Sequence, residues 1–114
     1  MIAQVERRVQ EAGLTNVETH IASAHALPLE DGSVDRAFLI TVLPEIPDPG
    51  RALAELYRVL RPGGVLSITE EFHDPHYLFL PETIRLARRA GFRLERHFGN
   101  ILAYTANFRK GRLA

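Results

Sequence analysis

The 114 residues carry 14 basic and 14 acidic side chains, are 46% apolar, and include no cysteine. A chain of this length supports one core, burying roughly two-thirds of the surface that its unfolded form exposes. Zero net charge argues against nucleic-acid binding, which shows a basic surface; the missing thiols exclude disulfides, thiolate metal sites and a cysteine nucleophile.

No run of about 18 apolar residues exists to span a membrane, and the charged opening (Glu6, Arg7, Arg8, Glu11) does not read as a signal peptide. With no mark of another compartment, the cytoplasm is the default expectation. In chain order, Ile2, Val5, Val9 and Ala12 fall at helical spacing, and Gly13 stops the pattern as a C-terminal cap would. The chain therefore opens inside a helix, with no strand before it. Val17, Thr19 and Ile21 alternate with Glu18 and His20, which predicts a half-buried strand. A loop over residues 23–33 follows, marked by Pro28 and Asp31-Gly32. From Ala37 to Leu43 almost every residue is apolar, the pattern of a central strand covered on both faces. Pro44, Pro47 and Pro49 exclude regular structure next. Asp48 then suits a helix N-cap with Pro49 at the first helical position, and Leu53, Leu56, Tyr57 and Leu60 form the inward stripe.

Arg61-Pro62-Gly63-Gly64 reads as a turn, residues 65–70 as a strand, and Pro81 to Gly91 as a third helix with Ile84, Ala87 and Ala90 inward. Phe92, Leu94 and Phe98 alternate with polar residues, Gly99-Asn100 turns the chain, and residues 101–108 return. From Arg109 onward the tail is expected to fray. Strands alternating with helices predict one α/β domain over residues 1–114, closing on an antiparallel hairpin.

Several stretches together resemble the class I S-adenosylmethionine-dependent methyltransferases, in the small-molecule branch that includes ubiquinone/menaquinone-type enzymes. They are Ala26-Leu27-Pro28-Leu29, Asp31-Gly32-Ser33-Val34-Asp35, Ile46-Pro47-Asp48-Pro49, the run Leu53-Ala54-Glu55-Leu56-Tyr57-Arg58-Val59-Leu60-Arg61-Pro62-Gly63-Gly64, and Ala90-Gly91-Phe92. The resemblance implies a partial Rossmann-like sheet, mostly parallel with a C-terminal antiparallel hairpin and flanked by helices. It also implies S-adenosylmethionine as cofactor and a small-molecule methyl acceptor, with neither nucleic acid nor membrane as partner. The family opens with a strand ending in a D-x-G-x-G loop for the methionine end of the cofactor. A second strand then ends in an acid for the ribose. Neither feature stands in these residues, so the resemblance reads as the C-terminal portion of such a domain. Each missing clamp removes on the order of 1.5–3 kcal/mol, so two losses weaken cofactor binding by roughly two to four decades. The alternative is a non-catalytic short form that dimerises or completes a partner. On either reading strand 37–43, central in the family, lacks a neighbour on one side and carries an open apolar edge. Three repairs are expected: the strand at 17–21 slides into the gap, a second copy pairs there, or the missing N-terminal portion or a partner supplies strands.

By the same resemblance, Ser23 and Ala24, followed by His25, stand at the junction that reaches the adenine. Ser23 offers a hydroxyl where the family often has Asp, although a hydrogen-bonding loop serine is equally ordinary. Thr41 and Val42 fall beside the cofactor's sulfur and adenosine, at the carboxyl end of a strand, where ligands of open α/β sheets lie. Val42 also suits plain core packing, whereas Thr41 interrupts an apolar run. Glu45 and His73 are the catalytic candidates: Glu45 as a base or orienting carboxylate, His73 as a group touching the acceptor. Glu70 and Glu71 add acid to the same rim, where a cationic acceptor or the sulfonium would be favoured; solvated loop charge is the ordinary alternative. His73-Asp74-Pro75-His76 fixes no third ligand, so no metal site is expected. Tyr77-Leu78-Phe79-Leu80 must pack onto the following helix or line a pocket. Arg88-Arg89 and Arg109-Lys110 read as solvated faces.

Overall fold

The computed structural model describes residues 2–72 and 77–111. Helix α1 (Ile2–Glu11) ends at Gly13, whose φ of 67° is the left-handed stop predicted for it. The Leu14 N–H reaches back to the Val9 carbonyl at 3.1 Å. No α1 residue is buried.

Strand β1 (Val34–Ile40) leads through a 3-10 turn (Leu43–Glu45) into helix α2 (Pro49–Val59). Asp48 caps α2, accepting the Arg51 N–H, with Pro49 in the first turn as expected. Strand β2 (Leu60–Glu71), helix α3 (Leu80–Arg89) and strands β3 (Arg93–Gly99) and β4 (Ala103–Arg109) complete the order. The sheet runs β1-β2-β4-β3; β1 is parallel to β2, and β4 is antiparallel to both its neighbours. Three strands therefore point one way and β4 alone reverses, which is the mostly parallel sheet with a C-terminal hairpin that the resemblance implied. No described helix is long and apolar enough to cross a membrane.

The core lies on one face. Leu66 faces Phe108, Ile68 faces Ala106 and Glu70 faces Tyr104, all buried, with α2 and α3 packed against them. Period-two alternation puts Ser67, Thr69, Thr105 and Asn107 on the other face. There the Ser67 hydroxyl donates to the Asn107 side-chain oxygen at 2.6 Å, and the Thr69 and Thr105 hydroxyls pair at 2.8 Å.

Several expectations change. Residues 17–21 form no strand; Ile21 is 90% exposed. Alternation qualifies a segment for a sheet, but a strand exists only in a ladder, and no described strand lies beside this one. It therefore does not slide into the gap at β1. Strand β1 lies three residues earlier than 37–43 at the same length, and it carries the open apolar edge expected of it: it pairs with β2 alone among the described residues, and Phe38 (71%) and Ile40 (54%) stand exposed. Arg61-Pro62-Gly63-Gly64 is not a turn before β2 but a bulge within it, since Val34 faces Leu60 while Arg36 faces Val65. Gly64 is required there, because a Cβ would lie 2.8 Å from the Arg61 carbonyl oxygen and 3.1 Å from that of Asp35. The tail does not fray at Arg109 or Lys110. Arg109 is a ladder residue whose guanidinium donates to Glu95 at 2.8 and 3.0 Å and to the Gly63 carbonyl at 2.7 Å; the Lys110 ammonium donates to the Leu60 carbonyl at 2.8 Å. Residues 112–114 lie outside the described ones.

One polar knot ties α3 to β4. The buried Tyr104 hydroxyl donates to the Leu78 carbonyl at 2.7 Å and accepts from the buried Thr83 hydroxyl at 2.6 Å. Tyr104→Phe leaves the buried Thr83 hydroxyl and the part-buried Leu78 carbonyl unmatched, so urea unfolding should show a loss of ~1–3 kcal/mol; an unchanged midpoint contradicts the knot's role.

Candidate functional site

Beyond the last residue of β1, the Thr41 N–H donates to the Thr69 carbonyl at 2.8 Å and carries the ladder one step further. Thr41 itself has φ 54°, a left-handed conformation rare for a β-branched residue. The chain then turns through Leu43–Glu45, anchored by the fully buried Leu43, with the Glu45 N–H on the Val42 carbonyl at 3.0 Å and the Ile46 N–H on that of Leu43 at 3.2 Å. A second left-handed residue, Asp48 (φ 49°), closes the segment and starts α2.

Facing this turn is a piece of the 23–33 loop. The Ser23 hydroxyl accepts the His25 N–H at 3.1 Å, and the Ser23 carbonyl accepts the Ala26 N–H at 3.1 Å. The His25 Nε2 bonds the Pro47 carbonyl, linking the two segments. A carbonyl only accepts, so Nε2 carries the proton. Between the segments lies a cleft of about 420 Å³, lined by Ser23, Ala24, His25, Val42, Glu45, Ile46 and Pro47.

The loop's far side rests on α2. The Glu55 carboxylate accepts the Leu27 N–H at 3.0 Å. Arg58 donates Nε to both Glu55 oxygens at 3.1 Å, Nη1 to the Leu29 carbonyl at 2.9 Å and Asp31 at 2.7 Å, and Nη2 to the Leu27 carbonyl at 3.2 Å and to Glu55. The hydrogen bond from Arg58, then that from the Leu27 N–H, holds the Glu55 carboxyl below its usual range.

Four expected site residues, Ser23, Ala24, Val42 and Glu45, thus meet in one cleft although about twenty residues separate the pairs. Val42 is exposed lining, not core; Leu43 takes the core position. Thr41 is half-buried just behind the lining, its hydroxyl donating to the Ile40 carbonyl at 2.8 Å. The three rim acids do not assemble. Glu70 is fully buried on the helix-covered face, and Glu71 borders a separate hollow with Thr69, Phe98 and Thr105. His73, and with it the whole 73–76 tract, lies outside the described residues. Tyr77, Leu78 and Leu80 pack against the core, while exposed Phe79 lines an apolar pocket of about 320 Å³ with Ile101 and Tyr104. Sequence reasoning missed the bridging role of His25, the lining by Ile46 and Pro47, and the hold of Glu55 and Arg58 on the loop. The last had a visible signal, a carboxylate and a guanidinium three residues apart on one helix face.

Comparison with known proteins adds the family. The profile of a methyltransferase domain family matches residues 1–68. An uncharacterized 37.1 kDa protein in a transposon of Streptomyces fradiae is 44% identical over 82 residues, which is 72% of this chain and 23% of that protein. A ubiquinone/menaquinone biosynthesis C-methyltransferase of Methylobacterium nodulans is 33% identical over 103 residues, 90% of this chain and 39% of the relative. The chain thus spans well under half the length of these curated relatives. A crystal structure of a SAM-dependent methyltransferase from Aquifex aeolicus superposes with a TM-score of 0.85 at 23% identity, covering 95% of this chain and 62% of that one. The fold, the family profile and these relatives agree: the chain belongs to the methyltransferase domain family, within the class I S-adenosylmethionine-dependent methyltransferases.

Proposed function

We propose that the cleft between residues 23–25 and 42–47 receives the adenosyl part of S-adenosylmethionine, in an enzyme that methylates a small molecule. The observation that carries this reading is the convergence of Ser23, Ala24, Val42 and Glu45 on one cleft at the carboxyl end of a parallel strand. Its lining suits such a group. Ala24, Val42, Ile46 and Pro47 offer apolar walls for a flat base, and the Ser23 hydroxyl, with its oxygen engaged by His25, still has a proton to donate. When bound, the cofactor supplies a methyl group on a cationic sulfur. What this chain's residues supply is positioning and exclusion of water. The exposed carboxylate of Glu45 at the mouth can orient an acceptor or hold its proton; His73 is its proposed companion. The left-handed Thr41 fits a site role as well, since strain of about 1–3 kcal/mol is kept where surroundings over-determine it.

The 114 residues contain no D-x-G-x-G run, so this stretch by itself should hold the cofactor weakly. Titrated into the protein at millimolar concentration, S-adenosylhomocysteine should shift the amide resonances of Ser23, Ala24, Val42 and Ile46, and Val42→Trp should abolish those shifts by filling the cleft. Shifts confined to other residues contradict the site, and micromolar affinity contradicts the incomplete clamp.

A second reading, a non-catalytic module that pairs with another copy, is favoured by one observation: the outer edge of β1 has no described partner, and Phe38 and Ile40 stand open beside it. It predicts a mass by light scattering that rises with concentration and returns to the monomer in Phe38→Lys. A monomer at every concentration contradicts pairing.

A further inference from the structure

We infer that Glu55 and Arg58 act together as a clasp that positions the 23–25 wall of the cleft, so that residues outside the lining set its affinity for an adenosyl group. This rests on the adenosyl reading above and adds to it positioning residues on the helix behind the site.

The need for a clasp follows from the backbone. Residues 14–33 lie in no helix and no strand ladder; an isolated bridge between Ser23 and Ala26 is their one piece of strand pairing. A wall made from such a segment wanders unless something else fixes it. At Leu27 both backbone groups end on the clasp: the N–H on Glu55 and the carbonyl on Arg58. The Leu29 carbonyl and the Asp31 carboxylate converge on the same guanidinium, and the Gly32 N–H donates to the Arg58 carbonyl at 2.9 Å. Glu55 and Arg58 are only 16% and 34% exposed at their side chains, so the contacts are drawn partly out of water. Glu55 orients the guanidinium, and the guanidinium's planar fork reaches four groups at once. A lysine ammonium, a compact point charge, cannot.

The same helix governs the opposite wall. Helix α2 starts at Pro49, directly after the 42–47 turn, and its Asp48 cap closes that turn. One rigid element therefore carries wall 42–47 at its N-terminus and, from its second and third turns, clasps residues 27–32, the stretch that continues from wall 23–25, while the His25–Pro47 bond ties the two walls across the cleft. The width of the cleft is set by the fixed rise of α2. The Glu-x-x-Arg spacing inside the run 53–64 thus acquires a physical reason.

The test compares wild type, Arg58→Ala, Arg58→Lys and Glu55→Gln by amide hydrogen exchange and by titration with S-adenosylhomocysteine. The expected result is exchange about tenfold faster or more within residues 23–32 in each variant, with α3 and β4 amides unchanged, and a parallel weakening of the ligand by at least about threefold. Arg58→Lys should fail to restore either, which separates a fork from a mere positive charge. Unchanged exchange at 23–32, full rescue by lysine, or faster exchange with unaltered ligand affinity each overturns the clasp. If wild type shows no response to the ligand, the adenosyl reading fails by itself, and the exchange data still decide whether the clasp holds the wall.

Discussion

The parallel ladder between β1 and β2 is the constraint from which the cleft follows. Strand β1 has no other described strand beside it, so its placement depends on the pairing from Val34–Leu60 to Ile40–Thr69. The bulge at Arg61-Pro62-Gly63-Gly64 fixes the register of that pairing. Its backbone is locked on the far side too, with the Gly63 N–H on the Lys110 carbonyl at 3.1 Å and the Lys110 N–H on that of Gly64 at 2.9 Å. Shifting the register by one residue would turn Ala37 and Leu39 away from the core and move the point at which Thr41 leaves the sheet. The turn that lines the cleft is thus aimed by pairings at the other end of β2.

Stability and site occupy different parts of the molecule. On the helix-covered face, Leu53, Leu60, Leu66, Ile68, Ala87, Ala106 and Phe108 are buried to the last few square ångströms. Burial, with the Glu70 carboxylate facing it, pushes the Tyr104 phenol up to about 12, despite the opposing hydrogen bond from Thr83. The cleft instead sits at the sheet's rim, between a short turn and a loop outside any ladder. Such a region opens more easily than the core, which suits the adenosyl-binding wall proposed above. Its order comes from side chains: His25 across the gap, and Glu55 with Arg58 behind it.

Where residue patterns report local chemistry, they were readable. The Gly13 stop, the Asp48 cap with Pro49, the Leu53, Leu56 and Tyr57 stripe of α2 and the helix ending before Gly91 all form as the spacing requires, while Leu60, expected in that stripe, instead opens β2. Ser23, Ala24, Val42 and Glu45, singled out separately, line one cleft. The misreadings share a cause: each depended on partners that a pattern does not name. Residues 17–21 alternate faultlessly yet meet no described strand. Glu70 looked like a rim acid because it ends a strand, but strand parity with Leu66 and Ile68 sends it into the core. Arg109 and Lys110 looked like a solvated tail, and instead bond to the bulge and its flanks. At the end of β1 the left-handed Thr41 places Val42 in the lining of the cleft, which an apolar pattern does not reveal.

The central claim is the location of the adenosyl group, and a crystal structure of the protein soaked with S-adenosylhomocysteine tests it most directly. The account predicts base density between Ala24 and Val42, with the Ser23 hydroxyl within hydrogen-bond distance of the ring edge. Density lodged instead in the apolar pocket beside Phe79 and Ile101, with the 23–47 cleft holding only solvent, would contradict it.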